Sequence, residues 1–134
     1  MARILNLSPP YQGMSSVVNV NQRVGPDENN NSDDVRVIQR LLQLASKGAG
    51  PRAASIGVPQ VSGNFDAATG FWIYYTQDWL KGHGNSGQVV DGVVSPAHGS
   101  AYGPKAIWTI VLFNHFAKLH SPAEYPAFLA QSGP

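Results

Sequence analysis

The stretch VSGNFDAATGFWIYYTQDW, residues 61–79, decides the fold because it joins a glycine-containing turn directly to a segment rich in aromatic side chains. Its pattern predicts a helix from Ala67 to about Lys81. At about 100° per residue, most apolar side chains fall within one broad arc of this helix. These core candidates are Ala68, Phe71, Trp72, Ile73, Tyr75, Trp79 and Leu80. We expect Tyr74, Gln77 and Asp78 to lie on the remaining side.

An amphipathic helix is predicted upstream, in DDVRVIQRLLQLA, with Ser32 or Asp33 as the N-cap. Its apolar face contains Val35, Ile38, Leu41, Leu42 and Ala45. The opposite, polar face contains Arg36, Gln39, Arg40 and Gln43. This is the clearest helical pattern in the chain.

A third helix is predicted from near Pro104 to near Leu119, with apolar residues around nearly its whole circumference. Such a helix is expected to be buried at the centre, with the other two packed around it. Downstream, Ser121 and Glu124 have the spacing of a capping box, and Pro126 limits the short C-terminal helix that this box would open.

One turn pattern occurs twice, at residues 61–68 and at residues 90–97, and we call these turns the first and second corners. Gly63 and Gly92 permit a positive φ in each turn, and an apolar residue lies two positions later. Asp66 and Ser95 are candidate N-caps for helices that begin directly after the corners. The repeat predicts that two helices enter the fold at similar angles.

Composition and charge exclude several classes of protein. Only 13% of the residues are charged and the formal net charge is +1, so no basic surface is available for nucleic acid. There is no cysteine, which excludes disulfides and cysteine-ligated zinc. The apolar run at residues 107–113 is too short to span a membrane, and residues 1–13 lack a recognisable signal peptide. We expect a soluble protein that is made in the cytoplasm.

The order of these segments resembles the peptidoglycan-binding-like domain found beside bacterial and phage cell-wall hydrolases. The residues that match its motifs are Asp34, Val35, Ile38, Gln39, Leu42, Gly63, Phe65, Asp66, Thr69, Ile73, Gln77, Asp91, Gly92 and Pro96. The chain differs from the family pattern at Ser62 and Thr76, and no Thr stands after Pro96 at the usual place. The resemblance implies a compact three-helix fold that serves as an accessory module and holds a catalytic domain on murein.

The fold class expected is therefore all-α: a compact three-helix bundle of the peptidoglycan-binding type with a short C-terminal helix. Residues 1–23 are rich in Pro, Gly, Ser and Asn and are predicted to form an extended N-terminal arm. Residues 24–134 are predicted to form the single domain. The corner residues with structural roles are Gly63, Phe65, Asp66, Asp91, Gly92 and Pro96.

The search for catalytic patterns favours a protein that is not an enzyme and binds no metal or cofactor. GHGNSG comes after a helix and opens no βαβ unit, and the loop DENNNS lacks the Gly and the Glu of a calcium loop. The four histidines lack the spacing of a zinc hydrolase. Asp66, Asp78 and Asp91 would have to converge to act as paired carboxylates, whereas capping of the corners explains Asp66 and Asp91 without chemistry.

Recognition of a glycan remains, because aromatic rings suit the apolar faces of sugars while amides and carboxylates hydrogen-bond their hydroxyl groups. The predicted ligand-binding residues are Tyr74, Gln77, Asp78, Gln39 and Gln43, with Tyr102 closing one end. Two alternatives stay open: Tyr74 as a lone surface aromatic residue, and Gln77 as a structural amide that ties the second corner to its helix.

The function predicted is non-catalytic recognition of bacterial peptidoglycan, together with a separately encoded hydrolase or with phage or secretion assembly proteins. The alternative is a structural or adaptor subunit of a phage particle or secretion apparatus. In either case the site of action would be the cell envelope or such a particle, without contact to nucleic acid or to a membrane.

Overall fold

The chain combines helices with a small sheet. The computed structural model describes residues 3–48, 57, 59–83, 87–98, 100–103 and 106–132. Its strands are β1 (Arg3–Tyr11) and β2 (Met14–Asn19), and its helices are α1 (Ser32–Ala45), α2 (Ala67–Gly82), α3 (Thr109–His120) and α4 (Tyr125–Gln131), with a 3-10 turn at Ser46–Gly48. The expected all-α class is wrong, since within these ranges a two-stranded antiparallel sheet accompanies the helices.

The N-terminal segment is a β-hairpin instead of the expected extended arm. β1 and β2 are antiparallel, with Ile4 opposite Val18 and Tyr11 opposite Met14. Both residues of the connecting loop, Gln12 and Gly13, have positive φ, 49° and 77°, which suits the twist of a tight hairpin. Because the apolar side chains of β2 are buried against the helices, this hairpin shares the core of the domain.

The central position predicted for the third helix is confirmed over residues 110–113, whose side chains are all buried. α3 packs most extensively against α1 and then against β2. Asn114 fastens the hairpin to it: its Oδ1 accepts the N–H of Val18 at 3.0 Å and its Nδ2 donates to Val18 O at 2.9 Å. A buried amide thus replaces a strand partner at this point of β2.

The helix ends differ from the prediction. α3 begins at Thr109, and Pro104, where we expected it to begin, lies outside the described residues. Ser121 does not open a capping box: it is the C-cap of α3, and its hydroxyl donates to Leu44 O at 2.8 Å. The short C-terminal helix exists as α4, with Pro126 in its first turn, where proline is tolerated.

α1 begins with Asn31 as its N-cap, one position before Ser32. Its buried side chains include Asp34, whose two carboxylate oxygens accept the N–H groups of Asn21 and Gln22, each at 3.0 Å. The segment after the hairpin is therefore anchored to the first turn of α1. Among the described helices, none combines the length and apolar character needed to cross a membrane.

Candidate functional site

A buried glutamine of α1 fixes the first corner. The Oε1 of Gln39 accepts the N–H of Gly63 at 3.0 Å, and its Nε2 donates to Asn64 O at 3.0 Å. The same Nε2 lies 3.0 Å from Thr69 Oγ1, in the first turn of α2. One side chain therefore connects α1, the corner and the start of the next helix.

A buried glutamine of α2 makes matching contacts at the second corner, although Gln39 Oε1 also accepts the N–H of Ser62 at 2.9 Å. The Oε1 of Gln77 accepts the N–H of Gly92 at 2.8 Å, and its Nε2 donates to Val93 O at 3.0 Å. Its Nε2 also lies 3.3 Å from Thr109 Oγ1, in the first turn of α3. We call the Gln39 and Gln77 arrangements the two glutamine clamps.

The turn geometry predicted for both corners is confirmed. Gly63 and Gly92 have φ values of 81° and 75°, a region that glycine adopts at little cost. Asp66 caps α2 as expected, accepting the N–H of Thr69 at 2.8 Å, and the hydrogen bond from the Thr69 hydroxyl lowers the pKa of its carboxyl group. The first corner thus leads directly into a helix.

The second corner continues differently, and the prediction that Ser95 caps a helix is wrong. Residues 98–108 separate this corner from α3, and they include a short bridge between Tyr102 and Ile107. Asp91 acts within its own turn, where its Oδ1 accepts the N–H of Val93 at 2.9 Å. Thr109 Oγ1 accepts from Gln77 at the second corner, as Thr69 Oγ1 accepts from Gln39 at the first. No threonine follows Pro96 directly, and Thr109 is the residue that makes this contact.

An open groove of about 120 Å³ lies between α1, α2 and α3, and we call it the aromatic groove. Its lining is Leu42, Ala45, Ser46, Trp72, Tyr75, Thr76, Trp79, Leu80, Phe116 and His120. Trp72 is buried and its Nε1 donates to Gly57 O, whereas Trp79 is 40% exposed. The groove therefore has a buried aromatic floor and an exposed indole at its edge.

Ring contacts set the orientation of that indole. Trp79 meets Phe116 edge to face at a centroid distance of 5.8 Å and stacks on His83 at 4.0 Å. The Nδ1 of His83 lies 2.7 Å from Trp79 O, and since a carbonyl oxygen only accepts, this nitrogen donates. Phe116 in turn stacks on His120 at 6.0 Å. The aromatic wall is thus held in place by contacts within the chain.

The ring contacts continue from the groove towards the hairpin. His115 lies 5.1 Å from Phe116 and 5.9 Å from Tyr11, and Tyr11 meets Tyr102 at 6.5 Å. Tyr102 is 62% exposed, at the far end of this row. Burial lowers the pKa of His115, and the charges of Lys118 and His120 lower it further.

None of the six predicted ligand-binding residues lines the aromatic groove. Gln39 and Gln77 are buried, and their amide groups form the hydrogen bonds of the clamps. For Gln77 this is the structural alternative, an amide that ties the second corner to its helix. Gln43 is half-buried and donates to Pro59 O at 3.1 Å. Tyr74 and Asp78 are exposed on another side of α2. Ligand binding by the exposed members of this set stays a prediction.

The arc of α2 predicted to be core is wrong at two positions, since Phe71 and Trp79 are 43% and 40% exposed. The helix is rotated because Thr69 and Gln77 must face inward to reach the two corners. A signal for the groove was present in the sequence: Trp72, Tyr75 and Trp79 have the i, i+3, i+7 spacing of one helical face. This face was not recognised because the buried face of α2 contains the polar residues Thr69 and Gln77, which a polarity pattern assigns to solvent.

The carboxylates do not suggest a catalytic pair. Asp66 and Asp91 both accept backbone N–H groups within their corners, and Asp78 is exposed. The described residues contain no group of three or more His, Cys, Asp or Glu that could hold a metal ion.

In the predicted loop of residues 27–32, Asn30 closes the turn through two 2.9 Å hydrogen bonds with the backbone of Gly25. Residues 84–86 of the glycine-rich loop lie outside the described ranges.

Comparison of the chain with family models, curated proteins and solved structures found no match.

Proposed function

We propose that this chain is a non-catalytic module that recognises bacterial peptidoglycan through the aromatic groove. The observation that carries the proposal is the Trp79 indole, 40% exposed at the edge of an open groove and oriented by Phe116 and His83. Sugar rings offer apolar C–H faces that pack on such indoles, and hydroxyl groups at the edge of the ring remain in water. The low charge of the chain suits a neutral glycan.

The glutamine clamps support a relation to the peptidoglycan-binding-like family. The glutamines and corner glycines quoted for that resemblance, together with Thr69, are the residues that make the clamps. Thr109 adds the threonine that the sequence pattern lacks after Pro96. Two sets of matching contacts are a stricter criterion than short motifs in order, because the first joins Gln39 to residues 63–69 and the second joins Gln77 to residues 92–93 and to Thr109.

A non-catalytic role fits the use of Asp66 and Asp91 as turn-stabilising groups. We propose that hydrolysis, where it accompanies binding, is supplied by a separately encoded hydrolase. The same module would also serve within a phage particle or secretion apparatus that contacts the cell wall.

A structural or adaptor subunit is the second candidate, and the outer side of α2 favours it. Phe71 and Tyr74 are 43% and 54% exposed there, and Phe71 stacks on Tyr75 at 5.8 Å. Exposed aromatic side chains of this kind are enriched at protein interfaces. This surface differs from the groove, so the two functions can be separated by mutation.

Sedimentation with purified sacculi tests the leading proposal. Trp79→Ala removes the exposed indole, and the loss of one aromatic platform, about 1–2 kcal/mol, should weaken binding about 5–30-fold. Val61→Ala is the matched control, because Val61 is 41% exposed and does not line the groove or any other described cavity. Far-UV circular dichroism checks that each variant is folded.

Tyr74→Ala separates the two surfaces in the same assay. Binding that falls with Trp79→Ala but not with Tyr74→Ala supports the groove, and the reverse result favours the surface predicted from sequence. Wild-type protein that stays entirely in the supernatant would refute peptidoglycan recognition and leave the adaptor function.

A further inference from the structure

A second cavity, of about 250 Å³, lies between the second corner and the start of α3. Its walls include Gln88, Asp91, Val93, Ile107, Trp108 and Thr109, and it shares no lining residue with the aromatic groove. The function proposed above makes no use of it.

Two buried polar atoms at this cavity have no hydrogen-bond partner among the described residues: Gln88 Oε1 and Trp108 Nε1. The Gln88 side chain is only 5% exposed, and its Nε2 donates to Thr109 Oγ1 at 2.8 Å and to Val89 O at 3.3 Å. Since Val89 O can only accept, the amide orientation is fixed and Oε1 is the unpaired atom. An unpaired buried acceptor and an unpaired buried donor therefore belong to two residues that line the same cavity.

The geometry points to a binding site for a secondary amide group in this cavity. Such a group has both a donor and an acceptor: its N–H can donate to Gln88 Oε1, and its carbonyl oxygen can accept from Trp108 Nε1. An anion would lack the donor and would lie near the Asp91 carboxylate, and an ammonium group would lack the acceptor. Val93 and Ile107 offer apolar contacts for the methyl or methylene group beside the amide.

Water molecules would also pair with both atoms, since a cavity of about 250 Å³ holds several of them at about 30 Å³ each. An acetamido group differs from water because it also places carbon against the apolar part of the wall. Two sources share this chemistry, the N-acetyl group of an amino sugar and the peptide bond of a short peptide.

Entry of the ligand involves the Trp108 ring. Both unpaired atoms expose less than 1 Å² in this structure, so an amide reaches them only when the indole shifts. The ring meets His98 edge to face at 5.4 Å, and its movement would change that contact. Binding should therefore be visible at the indole N–H of Trp108 itself.

Titration of the full chain, monitored by ¹H–¹⁵N correlation NMR, tests the site with three probes. N-acetylglucosamine presents the sugar-borne amide, N-acetylalanine methylamide presents the peptide amide, and glucose has no amide. Saturable shifts of the Trp108 indole and Gln88 side-chain signals with one or both amides, and none with glucose, would support the site and identify the source.

Two conservative variants assign the contacts. Gln88→Met and Trp108→Phe each remove one hydrogen bond to the probe while keeping an apolar side chain, and each should weaken amide binding about tenfold. For Trp108→Phe the Gln88 signal is monitored. Trp79→Ala changes the aromatic groove and should leave the amide titration unchanged. The proposal for the groove and the proposal for the amide site can therefore be refuted independently of each other.

Equal shifts with glucose, no saturable shift with either amide, or a crystal structure with both amides soaked that contains only ordered water in the cavity would overturn the proposal. Amide binding unaffected by both Gln88→Met and Trp108→Phe would overturn it as well.

Discussion

Replacing Gln77 by Leu should destabilise the chain by about 2–4 kcal/mol. The substitution keeps most of the side-chain volume but removes the acceptor for Gly92 N–H and the donor for Val93 O. Leaving a buried backbone group unpaired costs about 1–3 kcal/mol, and because Gly92 is buried while Val93 is only half-buried, the two groups together cost about 2–4 kcal/mol. Thr109 Oγ1 keeps its bond from Gln88, so it adds little to the total. Out of a typical stability of about 5–15 kcal/mol, this is a large share.

The same substitution at Gln39 measures whether the clamps are equivalent. Gln39→Leu removes the acceptor for the N–H groups of Ser62 and Gly63 and the donor for Asn64 O. Because Ser62 is exposed and its N–H can bond to water instead, a cost of about 2–4 kcal/mol is again expected. Gln43→Leu is the control, since this half-buried residue of the same helix donates only one bond to a backbone carbonyl, that of Pro59. Because Pro59 is buried, leaving its carbonyl unpaired should cost about 1–2 kcal/mol, less than either clamp variant.

Urea unfolding monitored by far-UV circular dichroism gives these values, with the m-value kept as a check that the transition has not changed. The reasoning is refuted if Gln77→Leu costs no more than Gln43→Leu. A difference above about 2 kcal/mol between Gln39→Leu and Gln77→Leu would refute the equivalence of the clamps, although each would still be structural.

Three further outcomes are expected. Gly25→Ala should destabilise by more than about 2 kcal/mol in urea, because the new Cβ would lie 2.8 Å from Val93 Cγ2; a neutral result would show that the second corner is not tightly packed. Because burial lowers the pKa of His115, the unfolded chain takes up a proton more readily as pH falls through about 6.5, so stability present above that pH is partly lost below it. The fall in Tm between pH 7.5 and 5.5 should therefore be smaller in His115→Gln, and an equal fall would contradict this. Asp34→Asn should cost about 2 kcal/mol in urea because one of two backbone N–H groups loses its acceptor, whereas exposed Asp33→Asn should cost below about 0.5 kcal/mol; equal costs would count against the anchoring role.

Local signals allowed much of the helical part to be predicted from sequence. Gly63 and Gly92 mark turns that need positive φ, and Asp66 marks a helix start, since these preferences depend on the residue's own backbone. The hairpin was missed because Pro9 and Pro10 stand in β1, and proline argues against a strand. The pairing of β1 with β2 shifts register between Asn6 and Tyr11, so both prolines lie where the ladder is irregular and does not need their N–H.

The inward position of the glutamines could not be obtained from helical periodicity. Gln39 lies among Arg36, Arg40 and Gln43 on a face that a polarity pattern assigns to solvent. Its burial is favourable only because Gly63 and Asn64, which are distant in sequence, supply a donor and an acceptor. The same reason explains why the rotation of α2, and with it the aromatic groove, was not predicted.

The clamps and the groove are connected through α2. Thr69 binds the first clamp near the start of this helix, and Gln77 forms the second clamp two turns later. Trp72 and Tyr75 lie between these two fixed points, and Trp79 lies half a turn beyond the second. A wall whose rings are fixed at both ends loses little conformational freedom when a ligand binds, which lowers the entropic cost of association. In the proposed recognition of peptidoglycan, the buried glutamines would contribute without contacting the ligand, because they set the orientation of the helix that presents the aromatic side chains.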